Sequence, residues 1–266
     1  MNYTGERMQP AESDPYTFWE HIYRYAFAAR LAPGKRVLDV ACGAGYGSAA
    51  LKAAGAISVL GIDNSTEACA FARSTYGVDA RVANAEALPL SDGTFDLVVS
   101  FETIEHLTQP LRFLDECRRV LCPGGTLVLS TPNKACYNQI TPNNPYHAHE
   151  LEAAEFHNEC RVRFPTIVMY SQRPHHCAWW SLRGPASAFW PVLRLPGVVR
   201  ARNLLRRQLY PHLSGLGLNS ARRDPVATVL TLRSSITTFA NPYALRRQSA
   251  LAAEQPVYLI AVCRAP

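Results

Sequence analysis

Residues 161–266 contain no lysine and only two acids, Asp224 and Glu254, against 15 arginines. The first 160 residues lean the other way, with 12 basic and 19 acidic side chains. A segment so short of negative charge faces either an anion (nucleic acid, phospholipid or a phosphorylated substrate) or water, as a solvated arginine-rich face. Also missing is any run of the roughly 20 apolar residues that spans a bilayer, and the polar start MNYTGERMQP lacks the apolar centre of a secretory leader. None of the eight cysteines is paired as CxxC. Reduced, buried thiols and a cytoplasmic location are therefore expected.

What is present reads as one large domain carrying an insertion. Phe18, Ile22, Tyr25 and Ala29 recur at helical spacing, and Thr17 with Glu20 has capping-box spacing, which predicts an N-terminal lid or buttress helix within 1–33. Apolar runs and helical patterns then alternate. RVLDV, SVLGID, ARVANA, FDLVVS and GTLVLSTPN read as strands, with helices to about Ala54, from Ser65 to Tyr76 and over QPLRFLDECRRVL. A helix over Leu151–Arg161, a strand at TIVMYS and a last strand at PVYLIAVCR complete the pattern. It predicts an α/β fold, a Rossmann-like doubly wound seven-stranded sheet with a core at 34–170 and a final strand at 256–266. The Pro-, Trp- and Arg-rich stretch 171–255 breaks the alternation and is expected to be a basic substrate cap inserted before the last strand, with Trp179, Trp180 and Trp190 as candidates for lining an acceptor groove or for packing on the core.

VLDVACGAGYG puts Asp39 at a strand end and Gly43, Gly45 and Gly47 in the turn entering a helix, where the backbone can approach a bulky ligand. Asp63 ends the next strand, where a carboxylate can take both hydroxyls of a ribose. With LGIDNS, NAEALPLSDGTFDLVVS and RVLCPGGTLVLSTPN, these residues resemble the class I S-adenosylmethionine-dependent methyltransferases over about 34–133 and the final strand. The resemblance implies S-adenosylmethionine as cofactor. It implies contacts from Asp39, Ala41, Gly43, Gly45 and Phe101 around the methionine end, Asp63 and Asn64 at the ribose, and Ala85 with Glu86 at the adenine. NAD is the rival, disfavoured by the GxGxG spacing.

FETIEHL follows the fourth strand, and if it opens a helix, Glu102, Glu105 and His106 share one face where the transferable methyl should lie. The ExxEH arrangement resembles that of the small-RNA 2′-O-methyltransferases and the ubiquinone-pathway O-methyltransferases, where it binds a divalent cation. By that likeness His147, with His149 second, comes from the loop NPYHAHEL to complete a site for Mg, Mn or Zn. Without a metal, His106 acts alone as base, or the two acids serve a helix start. TGERMQP, FWEHIYRYAFA, FETIEHL and STPNK resemble methyltransferases of bacterial glycan biosynthesis, which implies a sugar hydroxyl as acceptor. That acceptor would be a glycan, a nucleotide sugar or a glycosylated natural product, phosphate-bearing or lipid-linked, with the basic segment touching phosphate or a membrane surface. An RNA 2′-hydroxyl is the alternative, and a catechol-type acceptor comes third.

Overall fold

The computed structural model describes residues 7–13, 15–137, 144–172, 224–233, 246–247 and 258–266. Eight strands form one mixed sheet: β1 (Arg36–Val40), β2 (Ser58–Asp63), β3 (Asp79–Val82), β4 (Phe95–Phe101), β5 (Leu121–Pro132), β6 (Thr166–Gln172), the two-residue β7 (Arg246–Arg247) and β8 (Tyr258–Arg264). Their order is β3-β2-β1-β4-β5-β8-β6-β7. β1 to β5 are parallel, and β8 slots antiparallel between β5 and β6. The seven expected strands are all there, and β7 adds a short edge from within the 171–255 segment. The tryptophans 179, 180 and 190 and most of that segment lie outside the described residues.

Central strands are buried on both faces, as parallel strands covered by helices must be, and this is why RVLDV and FDLVVS read as unbroken apolar runs. One face packs α1 (Pro15–Ala29) and α2 (Tyr46–Ala53) with Phe18, Ile22, Leu51 and Val99 between them. The other packs α4 (Pro110–Val120) and α6 (Ala153–Arg163) around Leu38, Phe113 and Phe156. α3 (Thr66–Tyr76) starts at Ser65, whose hydroxyl accepts from Ala68 N. A short helix α5 (Lys134–Tyr137) follows β5, and α7 (Pro225–Leu232), within the 171–255 segment, packs on α1 and α2 with Val229 fully buried. Among the described residues no helix is long and apolar enough to cross a membrane.

Three local expectations are corrected. α1 begins at Pro15, so Thr17 lies inside the helix and is not its cap; proline suits the first helical position, where its missing N–H costs nothing. α6 starts at Ala153, two residues later than expected, because Glu152 and Glu155 form the capping box. FETIEHL does not open a helix. Pro110 fixes the first turn of α4 and disfavours helical backbone at Gln109, leaving only one 3-10 turn at Ile104–His106.

Candidate active site

Following β3 at one edge of the sheet, the chain crosses to β4 on the far side of β1, and this reversal opens a crevice at the strands' carboxyl ends between β1 and β4. Ala41 leaves β1 in the left-handed region at φ 61° and Glu102 leaves β4 at φ 53°, so both walls carry strained non-glycine backbone. Gly45, at φ 86°, caps α2; a Cβ there would sit 2.4 Å from the Ala72 Cβ, so the turn packs directly on α3. Asp63 holds the turn from the other side, accepting from Gly43 N and Ser65 N, each at 2.9 Å.

Asp39 lies under the turn, fully buried, and accepts from Ser48 Oγ at 2.6 Å and Tyr25 Oη at 3.2 Å. Burial pushes its carboxyl up to about 7 against the pull of those two hydrogen bonds. Tyr25 also packs edge-on to Phe101 and Tyr46, with centroids at 5.0 and 5.3 Å. The N-terminal helix is therefore joined to the glycine turn through one phenol. Ala85 is half-buried at the opposite end of the crevice, where the Glu86 carboxylate is committed to Thr108 Oγ and Gln109 N, 3.1 and 2.6 Å away. What Glu86 offers a ligand is backbone; its side chain supports the start of α4.

On the acceptor side the structure brings together Glu105, His106 and His147, with one ligand atom of each within 4.8 Å of the others. The loop 144–150 reaches them because Ala148 N and His149 N both donate to the Glu105 carbonyl, at 2.8 and 3.0 Å. His106 Nδ1 is 2.8 Å from the Tyr146 carbonyl, so Nδ1 carries the hydrogen and the lone pair is on Nε2, 3.9 Å from Glu105 Oε1. His147 Nδ1 faces Glu150 Oε1 at 3.1 Å, and Asn144 lies 3.0 Å from its Nε2. His106 is thus oriented by one partner with Nε2 left open, as a ligating histidine is, whereas both ring nitrogens of His147 are engaged and Asn144 would have to yield Nε2 for it to ligate. Glu105 is buried, its Oε2 accepts from Thr131 Oγ1 at 3.2 Å, and its Oε1 has no hydrogen-bond partner among the described residues. Burial, and then the Glu102 carboxylate, push its acid well above the usual range.

Glu102 and the His149 side chain stand apart from this trio. The left-handed turn aims the Glu102 carboxylate at Ser130 Oγ, 2.6 Å away, and His149 is exposed. The single helical face expected for Glu102, Glu105 and His106 does not form.

Sequence reasoning missed Arg24. Wholly buried in α1, it donates from Nη1 to Gln172 Oε1 at 2.8 Å, lies 4.6 Å from the centre of the Tyr258 ring and places Nη2 4.0 Å from Glu102 Oε1. Burial opposes its charge, but Glu102, Tyr258, Glu20 and Tyr46 outweigh burial and raise its pKa. Among the described residues its Nε and Nη2 nevertheless lack hydrogen-bond partners, as does the buried Tyr46 Oη. Arg24 lies about 130° around the helix from the Phe18, Ile22, Tyr25 and Ala29 stripe, so helical phase gave no signal of its burial.

Residues 38–129 match a family model described as a methyltransferase domain. Over these residues the chain is similar to a methyltransferase domain. A probable S-adenosylmethionine-dependent methyltransferase of Mycolicibacterium smegmatis is 43% identical over 156 residues, which is 57% of this chain and 60% of that one. A ubiquinone biosynthesis O-methyltransferase of Xanthomonas campestris pv. campestris is 45% identical over 114 residues, 40% of this chain and 47% of the relative. The chain thus spans less than two thirds of the curated relatives it matches. Among solved structures, a Thermotoga maritima S-adenosylmethionine-dependent methyltransferase, possibly a histamine N-methyltransferase, superposes with a TM-score of 0.56 at 16% identity and covers 97% of each chain. The chain accordingly has the Rossmann-like fold seen in methyltransferases, with its glycine turn at the end of β1 and the Glu105, His106 and His147 trio beyond β4.

Proposed function

We propose that the chain is an S-adenosylmethionine-dependent O-methyltransferase acting on a sugar hydroxyl of a glycan, a nucleotide sugar or a glycosylated natural product. One observation carries this reading: an unpaired, buried Glu105 Oε1 stands 3.9 Å from His106 Nε2 beside the crevice that the methyltransferase domain would use for its cofactor.

The residues present fit S-adenosylmethionine. Asp63 is held by two backbone N–H groups with oxygen lone pairs to spare for a ribose diol, and the turn Ala41–Gly45 and Phe101 flank the crevice. The unpaired donors on Arg24 and Tyr46 suit the carboxylate of the methionine end. Bound there, the cofactor supplies a methyl group already activated on a sulfonium. The chain's own work is to hold the acceptor in line, which contributes up to ~7–11 kcal/mol, and to take the proton an alcohol loses as it attacks. Where no cation is held, His106 Nε2 is the base, kept in the acceptor tautomer by Tyr146 O; with a cation bound, the same nitrogen would be a ligand instead.

Glu105, His106 and His147 also fit a divalent cation. One carboxylate and two oriented imidazoles suit Mn or Zn better than Mg. A cation held there would acidify a neighbouring hydroxyl. In this reading residues 1–33 buttress the cofactor, 34–170 with 256–266 form the core, and the basic 171–255 segment caps the acceptor and engages its phosphate or anionic lipid carrier. A catechol acceptor is the second reading, favoured by the ubiquinone-pathway relative and by Tyr137, whose ring stacks on His147 at 5.2 Å.

The test is calorimetry with S-adenosylhomocysteine, followed by tritiated methyl transfer to sugar, nucleotide-sugar, catechol and RNA panels with and without a chelator. Transfer to sugars that chelation and Glu105→Gln both abolish is the expected result. Absence of cofactor binding would sink the enzyme reading, and chelator-insensitive turnover with an active Glu105→Gln variant would sink the cation.

A further inference from the structure

The segment before α1 runs back over the crevice. Met8 and Pro10 are buried, and the Gln9 to Ser13 turn is closed by Gln9 N donating to Ser13 Oγ at 2.8 Å and Ser13 N donating to Gln9 O at 2.9 Å. Arg7 therefore projects from a fixed point. Its Nη2 donates to Asn64 Oδ1 at 3.0 Å and lies 3.5 Å from Asp63 Oδ1. The Arg7 side chain is 27% exposed while Asp63 is 5% exposed, so the guanidinium is the outer wall over an inner carboxylate.

A ribose diol offers two hydrogens and several lone pairs. The carboxylate takes hydrogens and cannot serve the lone pairs; a guanidinium does the reverse. Asp63 already receives two backbone N–H groups, so its remaining lone pairs and the Arg7 N–H groups converge on the same small volume. We propose that Arg7 is a cofactor-binding residue that recognises the ribose diol together with Asp63, donating to the oxygens whose hydrogens Asp63 accepts. This rests on the reading that the chain binds S-adenosylmethionine. It makes the N-terminal segment part of the adenosine site and gives the site selectivity for ribose over deoxyribose.

The test is calorimetry of the full chain, wild type, Arg7→Ala and Arg7→Lys, with S-adenosylhomocysteine and its 2′-deoxy and 3′-deoxy analogues. Arg7→Ala should weaken S-adenosylhomocysteine about tenfold, the lower end for a hydrogen bond to a charged group that remains partly exposed. At least one deoxy analogue, already weaker on the wild type, should lose less on Arg7→Ala than the parent ligand does, and Arg7→Lys should recover part of the loss. Equal losses for the parent and both analogues would overturn the diol contact. Unchanged or tighter binding by Arg7→Ala would overturn the proposal and mark Arg7 as a plug. If the wild type binds none of the ligands, the cofactor reading falls and this inference with it. Matching ligand-free melting curves for the three proteins separate these outcomes from misfolding.

Discussion

Replacing Arg24 with methionine separates stability from binding. Arg24 buries two nitrogens without hydrogen-bond partners, and an unsatisfied buried donor costs about 1–3 kcal/mol. Arg24→Met removes both and keeps the aliphatic packing. Against this, Gln172 Oε1 loses its 2.8 Å donor, at a similar cost per atom, and Glu102 loses a cation 4.0 Å away. Glu102 keeps Ser130 as a donor, so the opposing effects cancel to within about 1 kcal/mol. The ligand-free melting temperature should stay within about 4 °C of wild type, or rise. Binding responds differently, because charge-assisted hydrogen bonds to a carboxylate are worth about 1.5–3 kcal/mol, which weakens S-adenosylhomocysteine about ten- to a hundredfold. Ligand at 100 times the wild-type Kd stabilises wild type by about 2.7 kcal/mol; a variant binding about thirtyfold more weakly gains about 0.9 kcal/mol. Thermal melts with and without ligand measure both quantities. A collapse of the ligand-free melt with an unchanged ligand-induced shift would refute the reasoning and make Arg24 a structural residue.

Two other perturbations follow from the crevice walls. Ala41 at φ 61° pays about 1–2 kcal/mol for a left-handed conformation, so Ala41→Gly, after the extra unfolded-state entropy, should stabilise the fold by about 0.5–1 kcal/mol in urea; a destabilised variant would contradict this. Asp39 holds its proton in the folded state up to about pH 7, whereas the unfolded chain releases it near 4. Its contribution is therefore most favourable below about pH 4 and is lost as pH rises to about 7, at about 1 kcal/mol per pH unit. Comparing urea midpoints of wild type and Asp39→Asn between pH 5 and 8 checks this. The variant should be flatter across the window, and parallel pH profiles would rule the effect out.

The sheet was legible because buried parallel strands write themselves as apolar runs, and the glycine turn because Gly45 packs on Ala72 without room for a side chain. The loop bearing His147 was placed only through likeness to other sequences; two amides on the Glu105 carbonyl hold it through backbone alone and leave no residue signature, and His106 Nδ1 on the Tyr146 carbonyl adds a side-chain contact. The ExxEH spacing misled for a related reason: it presupposes helical backbone, and Pro110 eight residues after Glu102 moves the helix start beyond it. Arg24 was hidden by its charge, since a polar letter in an amphipathic helix is ordinarily assigned to water. Glu86 was read as a ligand contact through the family likeness, although its carboxylate is spent on α4.

The attachment of the 144–150 loop to the Glu105 carbonyl has a bearing on how acceptor preference changes. Positions 148 and 149 grip through their amides, so their side chains, and that of 147 beside them, are not what fixes the loop to the turn after β4. In the proposed reading, point substitutions at 147 and 149 exchange the groups that meet an acceptor while the loop keeps its place, so such a scaffold diversifies its substrates one residue at a time. A proline at 148 or 149 is the exception, because it would remove one of the two amides and release the loop itself.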